Sequence, residues 1–411
     1  MKILISAYSC EPGRGSERGV GWNVAYEVAK YHEVWVLTRP DESKEAIEAE
    51  LKANPVPNLH FVYFTLPFWQ DSMRFGQSGA MQIHYYFWQI QAYFVARKLH
   101  REIGFDLAHH VTFVKYSAPS LLSLLPIPFI WGPIGGGESA PAPFWKDFSL
   151  RAKMYELARD LFRNIGQRDP LVGMTVRNST VIRATSDDTA KRLFQMGADQ
   201  VSVVPEVGLL DEEISTLNRF SLPSAQPVRF ISMGRLLHWK GFHLGIQAFA
   251  KANISDAEYW LVGDGPEMER LKQLAEDCGV SHHVKFWGRL PREDTLERLG
   301  ESHVLVHPSL HDSGGWVCIE AMASGRPVIC LNLGGPAVQV TDETGFRVSA
   351  HEPAQTIGEL AHAMQTLAHD SDLRVQMGNA GRKLIDDNFN WKVVGKRLDQ
   401  VYGEVSLGQT S

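Results

Sequence analysis

The residues best suited to chemistry fall in three short segments of the second half of the chain. Met233-Gly234-Arg235-Leu236 closes one apolar run, and Lys240-Gly241 opens the helix that follows. A cationic pair at the carboxyl end of a strand, beside a helix N-terminus, suits a diphosphate. Arginine binds phosphate oxygens bidentately, lysine acts as a point charge, and free helix N–H groups add to both. Val262-Gly263-Asp264-Gly265-Pro266 follows a second apolar run. Its glycines allow a ligand close to the backbone, although a tight turn with proline opening a helix accounts for it equally well. The third segment runs from His311 to Gly325. There Gly314, Gly315 and Trp316 offer the N–H groups of a helix start to an anion. Glu320, about one and a half turns inside, can accept two hydrogen bonds from a diol such as a ribose. Asp312 can accept from sugar hydroxyls or serve as the helix cap.

Such residues need strands to aim them. Apolar runs at 2–7, 33–38, 59–64, 106–111, 127–131 and 180–184 alternate with helical stretches, one of them 22–31, and read as an open α/β sheet. Runs at 228–233, 258–262, 283–287, 303–306 and 327–331 read as a second doubly wound α/β domain. The polar stretch 206–227, ending in LPSAQP, is the expected linker. Two such domains predict an interdomain cleft, with ligands beyond the carboxyl ends of the strands.

Together these pieces resemble a GT-B glycosyltransferase of the retaining family 4 type. The matching residues are Gly234-Arg235 with Lys240-Gly241, the Val262–Pro266 turn, and Asp312 and Glu320 in an acidic-x7-acidic spacing followed by Ala-Met-Ala-Ser-Gly. Gly334-Gly335-Pro336 is similar to the family's glycine pair. Residues 388–402 resemble its closing helix, and Gly15-Ser16-Glu17-Arg18 resembles its Gly-Gly-x-Glu-Arg loop. The likeness is strongest from 229 to 347. It implies two Rossmann-like domains: 1–205 with about 389–411 for the acceptor, and 228–388 for the nucleotide sugar. The final helix would cross back to the first domain.

The resemblance also implies roles. Arg235 and Lys240 would hold the donor diphosphate, Glu320 the ribose and Asp312 the transferred sugar. Gly15, Gly234, Gly263, Gly314, Gly315 and Trp316 would approach the donor through backbone, and Phe286 to Leu290, including Arg289, would bracket the base. The family's histidine at a first-domain strand end would be His110, with His109 the alternative. Three departures stand out: Asp312 where the family usually has glutamate, Pro205-Glu206-Val207-Gly208-Leu209 for its Pro-Asn-Gly-Val-Asp segment, and no histidine five residues after Asp106. Trp131 to Glu138, with a proline and three glycines after a strand, adds a loop in which Glu138 stands near an acceptor or in a plain turn.

Composition narrows the rest. The 411 residues are 44% hydrophobic and 21% charged, ordinary for a globular chain. The net charge of −6 excludes a molecule built to coat nucleic acid. Cys10, Cys278, Cys318 and Cys330 form no CxxC pair, so neither a zinc site nor a disulfide framework is expected, and a cytoplasmic setting is. The apolar start is too short for a signal peptide, and no apolar run reaches the ~18 residues of a membrane span. The segment 61–94 is crowded with aromatics, from Phe64 through Phe75 to Phe94, and reads either as core or as a greasy acceptor groove. From Lys146 to Arg177 there are seven basic and four acidic residues, which would suit an anionic membrane face or a solvated helix.

The expected reaction is sugar transfer from a UDP- or GDP-sugar to a hydroxyl with retention, without metal or cofactor. The acceptor would be a glycan or a lipid-linked cell-envelope intermediate. The competing readings are a GT-B-like nucleotide-sugar epimerase and a non-catalytic nucleotide-binding subunit. A dehydrogenase is disfavoured because the glycine loop at 13–21 is no clean GxGxxG.

Overall fold

The computed structural model describes residues 1–69, 79–205, 207–221, 223 and 226–408. The expected site segments all lie within these, but Phe75 and Glu206 lie outside the described residues. The chain divides into two compact units. Unit 1 is 1–137, 159–207 and 391–411, and unit 2 is 138–158 and 208–390.

Unit 1 holds a seven-stranded parallel sheet. Its strands are β1 (Lys2–Ala7), β2 (Glu33–Thr38), β3 (Leu59–Tyr63), β4 (Leu107–Thr112), β5 (Phe129–Ile134), β6 (Val181–Ala184) and β7 (Ser202–Val203), in the order β3-β2-β1-β4-β5-β6-β7. The central strands are covered on both faces, which is why they read as unbroken apolar runs. Every residue of β4 is buried. Helices Ser16–Val28 and Trp391–Ser406 bring Gly395 against Glu27, where a Cβ would sit 2.5 Å from that side chain. The helix Gly79–Ile103 buries Tyr85 and Trp88 while exposing Ile83, Phe87 and Phe94. The aromatic segment is therefore both core and surface, divided along one helix.

Unit 2 holds a six-stranded parallel sheet of β8 (Val228–Met233), β9 (Ala257–Val262), β10 (Val284–Gly288), β11 (Val304–His307), β12 (Val328–Leu331) and β13 (Gly345–Val348). Its order is β10-β9-β8-β11-β12-β13. The strand order reverses where β8 pairs with β11. A crevice opens beyond the carboxyl ends of the strands at such a switch point.

Two differences from the expected organisation have physical causes. Residues 138–158 pack with unit 2, because the 3-10 turn Ala142–Asp147 places Phe144 and Phe148 in that unit's core beside Leu236 and Phe242. The division at residues 158 and 159 falls inside the helix Leu150–Gln167. The stretch 206–227 is not irregular throughout: Asp211–Asn218 is a helix, its first turn rich in acids and closed by Glu213 accepting from the Leu210 N–H at 3.0 Å.

Candidate functional site

The carboxyl ends of β8, β9, β11 and β12 carry loops that interlock through glycines. Gly263 has φ +137°, and a Cβ there would lie 1.9 Å from the Gly234 carbonyl oxygen. Gly241 has φ +67°, and its Cβ would meet the Pro308 carbonyl at 1.9 Å. These positions tolerate only glycine, and they bring Gly234-Arg235, Lys240 and the 307–315 loop to one end of the sheet.

Asp312 is the centre of that end. Its Oδ2 accepts from Lys240 Nζ at 2.5 Å and contacts His307 Nε2 at 3.1 Å. Its Oδ1 accepts from the Gly314 and Gly315 N–H groups, both at 3.2 Å. Burial alone would raise the Asp312 carboxyl, but the His307 hydrogen bond and the Lys240 charge outweigh it and hold it well below the usual range. Burial drives His307 the other way, toward the neutral form. Asp312 thus joins two strand ends and holds the glycine turn before the helix Trp316–Ala323, whose cap position is Gly315 and not Asp312, as the cap alternative had it. Two of the amides expected to face an anion are engaged by it in this state. Those of Trp316 and Val317, in the first turn, have no intrahelical acceptor.

The Arg235 side chain is exposed and makes no hydrogen bond or ion pair among the described residues. Glu320 is buried; burial raises its carboxyl, partly offset by Arg292, whose Nη1 donates to Oε1 at 2.7 Å. Arg292 also reaches Glu213 at 3.2 Å. Arg289 is exposed and Leu290 half-buried after β10. Gly15, in unit 1, is exposed and precedes the helix Ser16–Val28.

His110 does not stand at an accessible edge. It and His109 alternate across β4, and each face is covered. His109 takes the Tyr402 hydroxyl at Nδ1 (2.6 Å) and faces the Gly132 carbonyl at Nε2 (2.7 Å). His110 Nε2 lies 3.1 Å from the Thr112 carbonyl and 3.3 Å from the Tyr85 hydroxyl. A carbonyl opposite Nε2 requires that nitrogen to donate, and burial favours the neutral ring at both positions. Burial lowers His109 to about 3 and His110 to about 4.

Several further residues surround Asp312; motif reading singled out Glu138 among them but not Glu156 or Trp239. Glu138 accepts from Ser313 Oγ at 2.9 Å. Glu156, fully buried, holds His238 Nε2 at 2.8 Å and His311 Nε2 at 3.3 Å through one oxygen. Trp239 stacks on His311 at 5.0 Å. One carboxylate therefore ties the loop bearing Lys240 to the loop bearing Asp312. A histidine two positions before Lys240 and another one before Asp312 were the available signal, but their partner lies 82 and 155 residues earlier in the chain. Among the described residues, no group of three or more His, Cys, Asp or Glu stands where it could hold a metal ion.

A doubly wound sheet in each unit, with glycine-bound cations and carboxylates at the switch point of the second, defines the GT-B class. HepE of Anabaena, solved with UDP, shares that fold. It aligns with TM-score 0.62 and 19% identity over 98% of this chain and 100% of its own. Residues 215–384 match the family described as Glycosyl transferases group 1. The D-inositol 3-phosphate glycosyltransferase of Corynebacterium diphtheriae is 31% identical over 43% of this chain and 42% of its own length. The lipopolysaccharide core biosynthesis glycosyltransferase LpsE of Rhizobium meliloti is 32% identical over 53% and 62%. The chain thus spans about half the length of the curated relatives it matches. Among the described residues, no helix is long and apolar enough to cross a membrane.

Proposed function

We propose that this protein is a retaining glycosyltransferase that moves a sugar from a UDP- or GDP-sugar to a hydroxyl of a glycan or lipid-linked cell-envelope acceptor. The observation that carries the reading is the convergence of Arg235, Lys240 and the first-turn amides of Trp316–Ala323 on the switch point of unit 2. In the reaction the bond from the anomeric carbon to the diphosphate oxygen breaks. A bond to the acceptor oxygen forms on the same face, and the acceptor proton leaves with the nucleoside diphosphate. Arg235 and Lys240 take up the charge that develops on the leaving oxygens. Glu320 receives the ribose diol, Asp312 the sugar hydroxyls, and Gly234, Gly263 and the 289–290 backbone shape the donor bed. The buried His110 has no part in the reacting centre.

The cations of the chain neutralise the leaving group, so transfer proceeds without a divalent metal or other cofactor. EDTA leaves the rate unchanged, and a rate abolished by EDTA and restored by magnesium overturns that point. The name of the Rhizobium relative, a lipopolysaccharide core enzyme, supports a lipid-linked acceptor and work at the cytoplasmic face of a membrane. The test is calorimetric titration of UDP, GDP and ADP into the wild type and Arg235→Ala. Tight binding of one nucleotide, lost in the variant, is the expected result. Binding of none, with the fold intact, overturns the donor site. An epimerase is separated by product analysis, since it needs no acceptor.

A further inference from the structure

The helix Leu150–Gln167 is built inside out. Two of its charged side chains are buried: Glu156 fully, on His238 and His311, and Arg163, which pairs with Asp160 at 3.1 Å and lies over the Tyr116 ring, while Arg151 at its start is exposed. Its apolar side chains point out. Leu150, Met154, Leu157, Leu161, Phe162 and Ile165 are each more than half exposed, Phe162 at 71%. These positions repeat at three and four residues and so form one stripe. At 1.5 Å per residue the stripe is roughly 22 Å long. Six such side chains exceed the single scattered apolar residues that need no explanation on a protein surface.

We infer that this stripe is a docking face that lies in the interface of an anionic lipid bilayer. The inference rests on the proposed lipid-linked acceptor and names the surface that would meet the membrane. The charges around the stripe choose the occupant. From Lys146 to Arg177 the exposed charged residues are Lys146, Arg151, Arg168 and Arg177, and the four acidic ones are buried or half-buried. Arg151 and Arg168 bracket the stripe at its two ends. A second copy docked antiparallel on the same face would set cation against cation, whereas anionic headgroups neutralise both ends. The helix Gly79–Ile103 continues the surface. Its Tyr86 donates to Asp169 at 2.8 Å, two residues past the docking helix, and beside Tyr86 it exposes Ile83 and Phe87.

The test is flotation of the full chain with vesicles of phosphatidylglycerol and phosphatidylethanolamine, and with phosphatidylcholine alone, at low salt. The wild type floats with the anionic vesicles and at least tenfold less with the neutral ones. Leu157→Glu/Leu161→Glu lowers anionic binding at least tenfold while thermal stability and nucleotide affinity stay at wild type. Arg151→Glu/Arg168→Glu, which leaves the apolar stripe intact, lowers it as well. A wild type that ignores anionic vesicles overturns the inference. So does a Leu157→Glu/Leu161→Glu variant that binds them normally, or a wild-type dimer in sedimentation that the same variant dissociates. Failure of the function reading looks different: vesicles are bound but no nucleotide is.

Discussion

Arg235 and Lys240 share a task on the diphosphate but differ in what else they hold, so their removal should be separable. Lys240 Nζ stands 2.5 Å from Asp312 Oδ2, and both side chains are about one-fifth exposed. At an effective dielectric of about 20 the gross attraction is about 7 kcal/mol. Desolvation of both groups and partial screening by water offset most of it. In Lys240→Met the aspartate keeps His307 and two backbone donors. The net loss is then about 1–3 kcal/mol, the range for one lost charged partner at a partly buried site. For a domain of this size that lowers the melting temperature by about 4–8 °C at the middle of that range. The Arg235 side chain is exposed and pairs with nothing among the described residues, so Arg235→Ala should stay within about 0.5 kcal/mol. Both variants should lose about 10²–10³ in transfer rate if each stabilises the leaving group. Chemical denaturation and initial-rate assays on the two proteins decide it. Equal stability losses, or near-normal turnover in a folded Arg235→Ala, would refute the division of labour.

The other expectations can be checked with the same preparations. His110 is held neutral with its value lowered to about 4, whereas an unfolded histidine protonates near pH 6.5. The unfolded state therefore gains protons first, and stability falls as pH drops from 6.5 toward 4, by about 3 kcal/mol for this residue. Denaturation curves across that range should flatten in His110→Gln. The same variant, once shown folded, should keep transfer within a few fold, and a hundredfold loss would return His110 to the reacting centre. Glu156→Ala leaves His238 and His311 without their buried acceptor and should cost about 2–4 kcal/mol while weakening nucleotide affinity; wild-type affinity in calorimetry would show that the two loops do not depend on the bridge. Gly263→Ala drives a Cβ to 1.9 Å from the Gly234 carbonyl at φ +137°. It should lose at least about 2 kcal/mol together with nucleotide binding, and a stable variant that still binds would count against the interlocked loops.

Much of the frame was legible because central parallel strands are apolar on both faces and stand out as continuous runs. The eleven expected strands coincide with β1 to β6 and β8 to β12 within two or three residues at their ends. The two unexpected ones are β7, two residues long, and β13, in which Phe346 and Arg347 are not buried. Short edge strands carry too few apolar residues to register. The first helix begins at Ser16 rather than 22, because its polar opening Ser-Glu-Arg hides a helix start. Neither histidine of the pair is exposed, for a geometric reason. A strand end was expected to expose one of two neighbours, but a strand flanked on both sheet faces buries both.

The helix Leu150–Gln167 shows where reading a sequence stops. Spacing identifies an amphipathic helix, yet spacing is symmetric: it gives two faces without saying which one is inside. The usual assumption turns the charges outward, as the reading of residues 146–177 did. Here the inward choice is made by partners far away in sequence, two histidines for Glu156 and Tyr116 for Arg163. A buried charge costs too much to persist unpaired, so these contacts must form together with the fold that supplies them. Phe144 and Phe148, just upstream, anchor the segment in the core of unit 2. The apolar face is then left outside by necessity, and stays unsatisfied in water until something apolar and anionic meets it.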